Sequence, residues 1–115
     1  MSWEDSRTPG PRTRIIHGRQ IVFDSEGFFD DPDDWTEDTA RFLAVETGLD
    51  PLGDDHLNVL RFLRDYYYCN GRAPLNNVLR NGINMRISRI EALFPGGIKF
   101  GARRLAGLPN PKSCM

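Results

Sequence analysis

The sequence predicts an α+β domain that is mainly α. A small N-terminal β-hairpin packs on an orthogonal helical bundle with a helix-turn-helix-like element, and a mobile C-terminal arm follows. Three observations carry this expectation. Two short β-branched or aromatic runs, Ile15–Ile16 and Ile21–Phe23, flank a Gly-containing turn. From Trp35 onward, apolar residues recur at helical spacing between glycine stops. The chain ends on "LAGLPNPKSCM", whose glycine and two prolines continue no helix.

The expected organisation is a disordered lead-in over residues 1–13, with Pro9 and Pro11 around Gly10, a folded body over 14–106, and an arm over 107–115. A chain of 115 residues, 39% of them hydrophobic, supports one domain with one modest core. The hairpin turns at His17–Arg19 and is too small to be stable alone. His17 is a turn residue rather than a site, because no carboxylate or metal partner lies within sequence reach.

The first helix is expected from Trp35 to Thr47. Acidic residues occupy its start, Gly48 stops it, and Trp35, Thr39, Phe42, Leu43 and Val45 form its buried face. A central helix follows, capped by Asp54 or Asp55 and ended by Gly71. Leu57, Leu60, Leu63 and Tyr67 form one line of it, with Val59, Phe62 and Tyr66 beside them. Cys69, within this pattern, reads as a small semi-buried hydrophobe. Pro74 opens a third helix carrying Leu75, Val78 and Leu79, which Gly82 ends. A fourth, "NMRISRIEALF", aligns Ile83, Ile87, Ile90 and Phe94 and turns Arg86 and Arg89 outward. This pair has a helix-turn-helix outline, which many compact helical domains share. After "FPGG", a last short helix runs from about Lys99 to Ala106, and Gly107 releases the chain from it.

Charge is unevenly distributed although the net charge is only −1. Between Asp24 and Asp55 there are 12 Asp/Glu against the single Arg41; from His56 onward, 10 Lys/Arg face only Asp65 and Glu91. That polarity fits either an acidic partner on the C-terminal half or two faces that attract each other within the fold. No apolar run approaches the ~20 residues of a membrane span, and the N-terminus lacks the apolar centre of a signal peptide, so the expected location is cytoplasmic with no membrane partner. Cys69 and Cys114 are too few for a disulfide framework, and no Cys/His cluster has zinc spacing, so neither metal nor cofactor is expected.

Cys114 is the chemical candidate. A thiol that must protrude belongs near a terminus, and nine residues from Gly107 to Met115 reach roughly 28 Å at ~3.1 Å each when extended. Gly107 supplies a hinge, and Pro109 and Pro111 stiffen the arm by fixing φ. Thiolate is the nucleophile; the nearby terminal carboxylate opposes ionisation, whereas Lys99, Arg103, Arg104 and Lys112 would offset it.

The ending "LFPGG…RRLAGLPNPKSCM" resembles that of the DsrC/TusE family of sulfur-relay proteins, and the likeness extends upstream through "DSEGFF", Trp35 and "LRFLRDYYY", from about residue 15 to 115. The resemblance implies a sulfur carrier in which Cys114 holds sulfur as a persulfide. Its partners would be sulfur-donor and sulfur-acceptor proteins, and it would be a carrier without independent turnover more than an enzyme. Family members that serve dissimilatory sulfite reductase carry a second cysteine eleven positions earlier, where this chain has Arg103. That departure turns the expectation toward tRNA 2-thiouridine synthesis or sulfur oxidation. The alternatives are a sulfite-reductase-associated protein or a nucleic-acid-binding regulator using Arg80, Arg86 and Arg89; a pI near 6.1 weighs against the regulator.

Overall fold

The computed structural model describes residues 12–49 and 51–110. Its elements run β1 (Arg12–Ile16), β2 (Arg19–Phe23), a 3-10 turn (Pro32–Asp34), α1 (Glu37–Glu46), α2 (Asp54–Asn70), α3 (Asn76–Ile83), α4 (Ile87–Leu93) and a π-helical segment (Ile98–Arg103). This is the mainly helical, hairpin-bearing fold expected. Of the expected lead-in, residues 1–11 lie outside the described residues, and Arg12 and Thr13 belong to β1. They are strand because the antiparallel register continues outward until Arg12 faces Phe23.

The hairpin turns through two residues with positive φ, His17 (+53°) and Gly18 (+78°), matching the twist that two-residue hairpins require. Ile16, Ile21, Phe23 and Phe29 close into a small cluster against the body. The larger core gathers around α2, which packs against α3, α4 and the π-helical segment. Trp35 and Leu43 touch both clusters and join them.

Several boundaries differ from expectation. Trp35 precedes α1 instead of opening it: Asp31 accepts from the Asp33 amide (2.9 Å) and starts the 3-10 turn, Trp35 is extended, and Thr36 caps α1 through the Thr39 amide (3.1 Å). The buried face of α1 is Thr39, Ala40 and Ala44, while Val45 is exposed. Phe42, 37% exposed, lies edge-to-face on His17. Helix α2 is capped by Gly53, whose N–H donates to His56 Nδ1 (3.1 Å), with Asp54 and Asp55 in the first turn where carboxylates complement the helix dipole. Gly71 ends it at φ +77°, as expected.

Leu75 is the N-cap of α3, so Pro74 lies one position before it, and Leu75 is exposed. Gly82 sits within α3 rather than ending it. A Cβ there would lie 2.3 Å from the Phe62 ring, so close helix approach explains the glycine, and left-handed Asn84 (φ +61°) makes the stop. Ile83 consequently belongs to α3 and not to α4.

Candidate functional site

The expected carrier Cys114, with Pro111 and Lys112, lies outside the described residues. The structure does describe the root from which these residues continue, and it is built differently from a free arm. Gly96 (φ +88°) and Gly97 (φ +77°) turn the chain after Phe94–Pro95 into the π-helical segment, where the Ala102 amide reaches back five residues to Gly97 O (3.0 Å). Gly101 permits this packing, since a Cβ would come within 2.5 Å of Pro95 O. Ile98, Ala102, Leu105 and Ala106 then face the core.

Gly107 does not release the chain. Its N–H bonds Arg104 O (3.1 Å), its φ is +77°, and a Cβ would meet Trp35 Cδ1 at 2.4 Å. The next residue, Leu108, is 1% exposed and belongs to the main core, with its amide on Arg103 O (3.2 Å). The expectation that Gly107 is a hinge releasing a free arm is therefore corrected at Gly107 and Leu108, which pack on the body. Pro109 is half-buried. Asn110 Nδ2 donates to Asp24 Oδ2 (3.0 Å) and to Glu26 Oε1 (2.7 Å).

Asp24 serves both segments. Its Oδ1 accepts the amides of Glu26 (2.9 Å) and Phe28 (3.0 Å), folding the "DSEGFF" turn, while Oδ2 takes Asn110. Earlier in the root, Trp35 Nε1 donates to Leu105 O (2.8 Å). The Arg64 guanidinium lies 4.3 Å over the Trp35 ring and bridges Ala106 O (2.9 Å) and Pro32 O (3.0 Å). Tyr68, one turn along α2, hydrogen-bonds Arg64 and Asp33. Burial pulls the Arg64 guanidinium below its ordinary pKa, and burial followed by the bond to Asp33 raises the Tyr68 hydroxyl.

Of the basic residues expected to aid thiolate formation, Lys99 and Arg104 share Phe100, while Arg103 turns toward the start of α3. Lys99 Nζ lies 4.9 Å over Phe100; Arg103 donates to Pro74 O (3.2 Å); Arg104 donates to Phe100 O (3.1 Å) and stacks near Phe28 and Phe100 across Gly27. Arg104 does line a cleft of about 550 Å³ between the hairpin, α1 and the π-helical segment, together with Arg12, Arg14, Glu26 and Glu46. Glu26, which holds Asn110, puts the last described residues at the edge of this cleft.

Cys69 is exposed rather than semi-buried, because α2 turns its final residues Tyr68–Asn70 to solvent. In the helix-turn-helix-like pair, Arg86 and Arg89 are exposed as expected, and Arg89 is committed to Asp55 (3.1 Å). Among the described residues no cluster of His, Cys, Asp or Glu could hold a metal ion, and no helix is long and apolar enough to cross a membrane. Sequence reasoning missed Arg64, Tyr68 and Asn110. The i, i+4 spacing of Arg64 and Tyr68 was available as a signal, but their targets lie 42 and 35 residues away.

Comparison with known proteins matches residues 15–115 to the family described as "DsrC like protein". The gamma subunit of dissimilatory-type sulfite reductase from Nitratidesulfovibrio vulgaris is 33% identical over 98 residues, covering 85% of this chain and 93% of that one. Sulfurtransferase TusE of Shigella dysenteriae is 30% identical over 108 residues, covering 88% and 98%. The crystal structure of the oxidized gamma subunit (DsrC) from Archaeoglobus fulgidus superposes with a TM-score of 0.79 at 32% identity, over 90% of this chain and all of that one.

Proposed function

Because the chain belongs to the family of DsrC-like proteins, we propose that it is a sulfur-relay protein whose Cys114 accepts and donates sulfane sulfur as a persulfide. The observation that carries this reading is the family match running through residue 115, so that it includes the "GLPNPKSCM" ending and its thiol. In the exchange, the Cys114 thiolate attacks the outer sulfur of a donor persulfide, a new S–S bond forms, and the donor thiolate leaves. An acceptor thiolate then attacks the sulfur carried on Cys114, and the Cys114 thiolate departs. Electrons balance without an external oxidant, and no cofactor is required.

Donor and acceptor proteins supply the reaction partners, so the chain is a carrier without independent turnover. A reducing cytoplasm is the compartment in which such a thiol stays free. Arg103 at the position of the second cysteine favours a single-thiol route, tRNA thiolation or sulfur oxidation, over a role requiring an arm disulfide. The nucleic-acid-binding alternative draws nothing from the relatives, and its Arg89 is held by Asp55.

Mass measurement after incubation with a persulfide donor tests the reading. A gain of about 32 Da, one sulfur atom, is expected in wild type and Cys69→Ser and absent in Cys114→Ser. Cys69 is exposed, so this comparison is essential: uptake that survives Cys114→Ser and disappears in Cys69→Ser would assign the chemistry to the wrong thiol.

A further inference from the structure

We propose that the outer edge of β1, with the cleft beside it, is a docking site for an extended segment of another protein that carries acidic and apolar side chains and joins the hairpin as a further strand. The register leaves that edge unfilled. Across a two-residue turn Ile16 and Arg19 form a hydrogen-bonded pair, so alternation along the antiparallel ladder gives Arg14 with Ile21 and Arg12 with Phe23 the same role. Thr13 and Ile15 therefore turn their N–H and C=O groups away from β2, and none of the described residues bonds them. The other edge of the hairpin is closed: Val22 O accepts from the Asp30 amide (2.9 Å), and the Asp24 amide donates to Phe28 O (2.8 Å). No bulge or proline interrupts β1, and Ile15 is 67% exposed on its outer face. An extended chain laid along this edge gains main-chain hydrogen bonds from Thr13 and Ile15, which is how strand addition supplies affinity.

The side chains define what the added strand carries. Arg12, Arg14 and Ile16 share the face that meets the body, and Arg12 and Arg14 line the cleft of about 550 Å³, within the ~300–1,000 Å³ of ordinary ligand sites. Alternate side chains of a strand beside β1 fall into the same row, about 4.8 Å away, at the mouth of this cleft. Leu43, Leu49, Phe94 and Phe100 give it an apolar lining that suits an aromatic or branched side chain. Its charges are mostly committed: Arg14 forks onto Glu46, Arg104 donates to Phe100 O, and Asp24 and Glu26 hold Asn110. Arg12 has no partner among the described residues, so the unmatched charge is positive and calls for a carboxylate. The inference does not depend on the carrier reading. A partner held here lies beside Asn110, because Glu26 belongs to the same cleft.

The test uses a fluorescent peptide, Thr-Phe-Thr-Glu-Val with blocked ends, whose Phe and Glu project to one face of a strand, and a counterpart with Lys in place of Glu. Anisotropy titration of the full chain is expected to give saturable binding of the acidic peptide with Kd below about 1 mM, and binding of the Lys peptide about three- to tenfold weaker. Arg12→Glu should invert that order, and the gain for the Lys peptide shows that the variant is folded. Methylating the alternate peptide nitrogens that face β1 should weaken binding at least about tenfold without altering the protein. Hydrogen exchange of the Thr13 and Ile15 amides should slow about tenfold with the acidic peptide, while the Arg14 amide, already bonded to β2, stays unchanged. Absence of saturable binding overturns the proposal, as does equal affinity for the two peptides or indifference to N-methylation. Thr13 and Ile15 amides already protected in the free protein also overturn it: protection lost on dilution gives the edge to a second copy, and protection that persists gives it to this chain itself.

Discussion

The hairpin and the arm root are both fastened to the helical body, but by different kinds of contact. The hairpin buries Ile16, Ile21 and Phe23, and side-chain ion pairs close its margins: Arg14 forks onto Glu46 (3.1 and 2.6 Å) and Arg19 meets Asp34 (3.2 Å). The root buries Leu105, Ala106 and Leu108, and its polar ties run from side chains to backbone carbonyls through Trp35 and Arg64. An exposed ion pair tolerates several geometries and contributes ~0.2–1 kcal/mol. A hydrogen bond from a half-buried cation to a fixed carbonyl contributes about 1.5–3 kcal/mol and specifies a position. The hairpin's ties add stability at the margin, whereas those of the root fix the position of Leu105 and Ala106 on the body.

The largest effect should come from emptying the two apolar anchors. Leu108→Ala and Ile21→Ala each remove a fully buried side chain and are expected to cost about 2–5 kcal/mol, read from urea midpoints. A cost below ~1 kcal/mol for Leu108→Ala would break the comparison, since the root would then open without disturbing the core. Next in size is Gly107→Ala, which imposes a Cβ on Trp35 at a left-handed φ. It should lose roughly 1–3 kcal/mol and alter Trp35 fluorescence. An unchanged emission spectrum would show that the glycine serves only the bend.

These two anchors also show what the sequence made legible. Ile21–Phe23 is a short β-branched and aromatic run beside a glycine turn, and Leu57, Leu60 and Leu63 follow helical period, so local pattern alone located them. Leu108 sits between a glycine and a proline, where no period exists, and "GLPNP" reads as free tail; it is core because it joins the cluster gathered around α2. Arg64 looks like a solvated residue on a helix because backbone carbonyls, its actual targets, leave no trace in residue identity. The likeness of the ending to sulfur-relay proteins was readable because a motif depends on residue identities, and the thiol it names is a sequence fact. The mode of attachment was not readable, because it depends on contacts across 42 to 86 residues.

A smaller effect is expected at the outer clamp. Asn110→Ala removes the donor that spans Asp24 and Glu26 but leaves Asp24 Oδ1 folding its own turn. Global stability should fall by less than ~1.5 kcal/mol, while exchange at Leu108 rises. If α2 amides accelerate by the same factor, the clamp is part of the global core instead of a local fastening.

The smallest effect should belong to the Arg14–Glu46 pair, and its pH dependence sharpens the contrast. The Arg14 hydrogen bond holds the Glu46 carboxyl below its ordinary pKa, so the folded state binds its proton less readily than the unfolded state does. The associated stability is present above the ordinary carboxylate pKa and is lost as pH falls through the lowered folded value. Glu46→Gln should therefore differ from wild type at pH 7 and converge with it in acid. Both side chains are more than 40% exposed, so screening reduces the benefit. Glu46 is also the last residue of α1, where a negative charge opposes the helix dipole and the substitution brings some relief. The net loss at pH 7 should stay under ~1 kcal/mol and shrink further in concentrated salt, as measured by urea titration of both proteins across pH. A loss above about 2 kcal/mol that resists salt would mean that this surface pair positions the hairpin as firmly as Arg64 positions the root, and the distinction between the two attachments would fail.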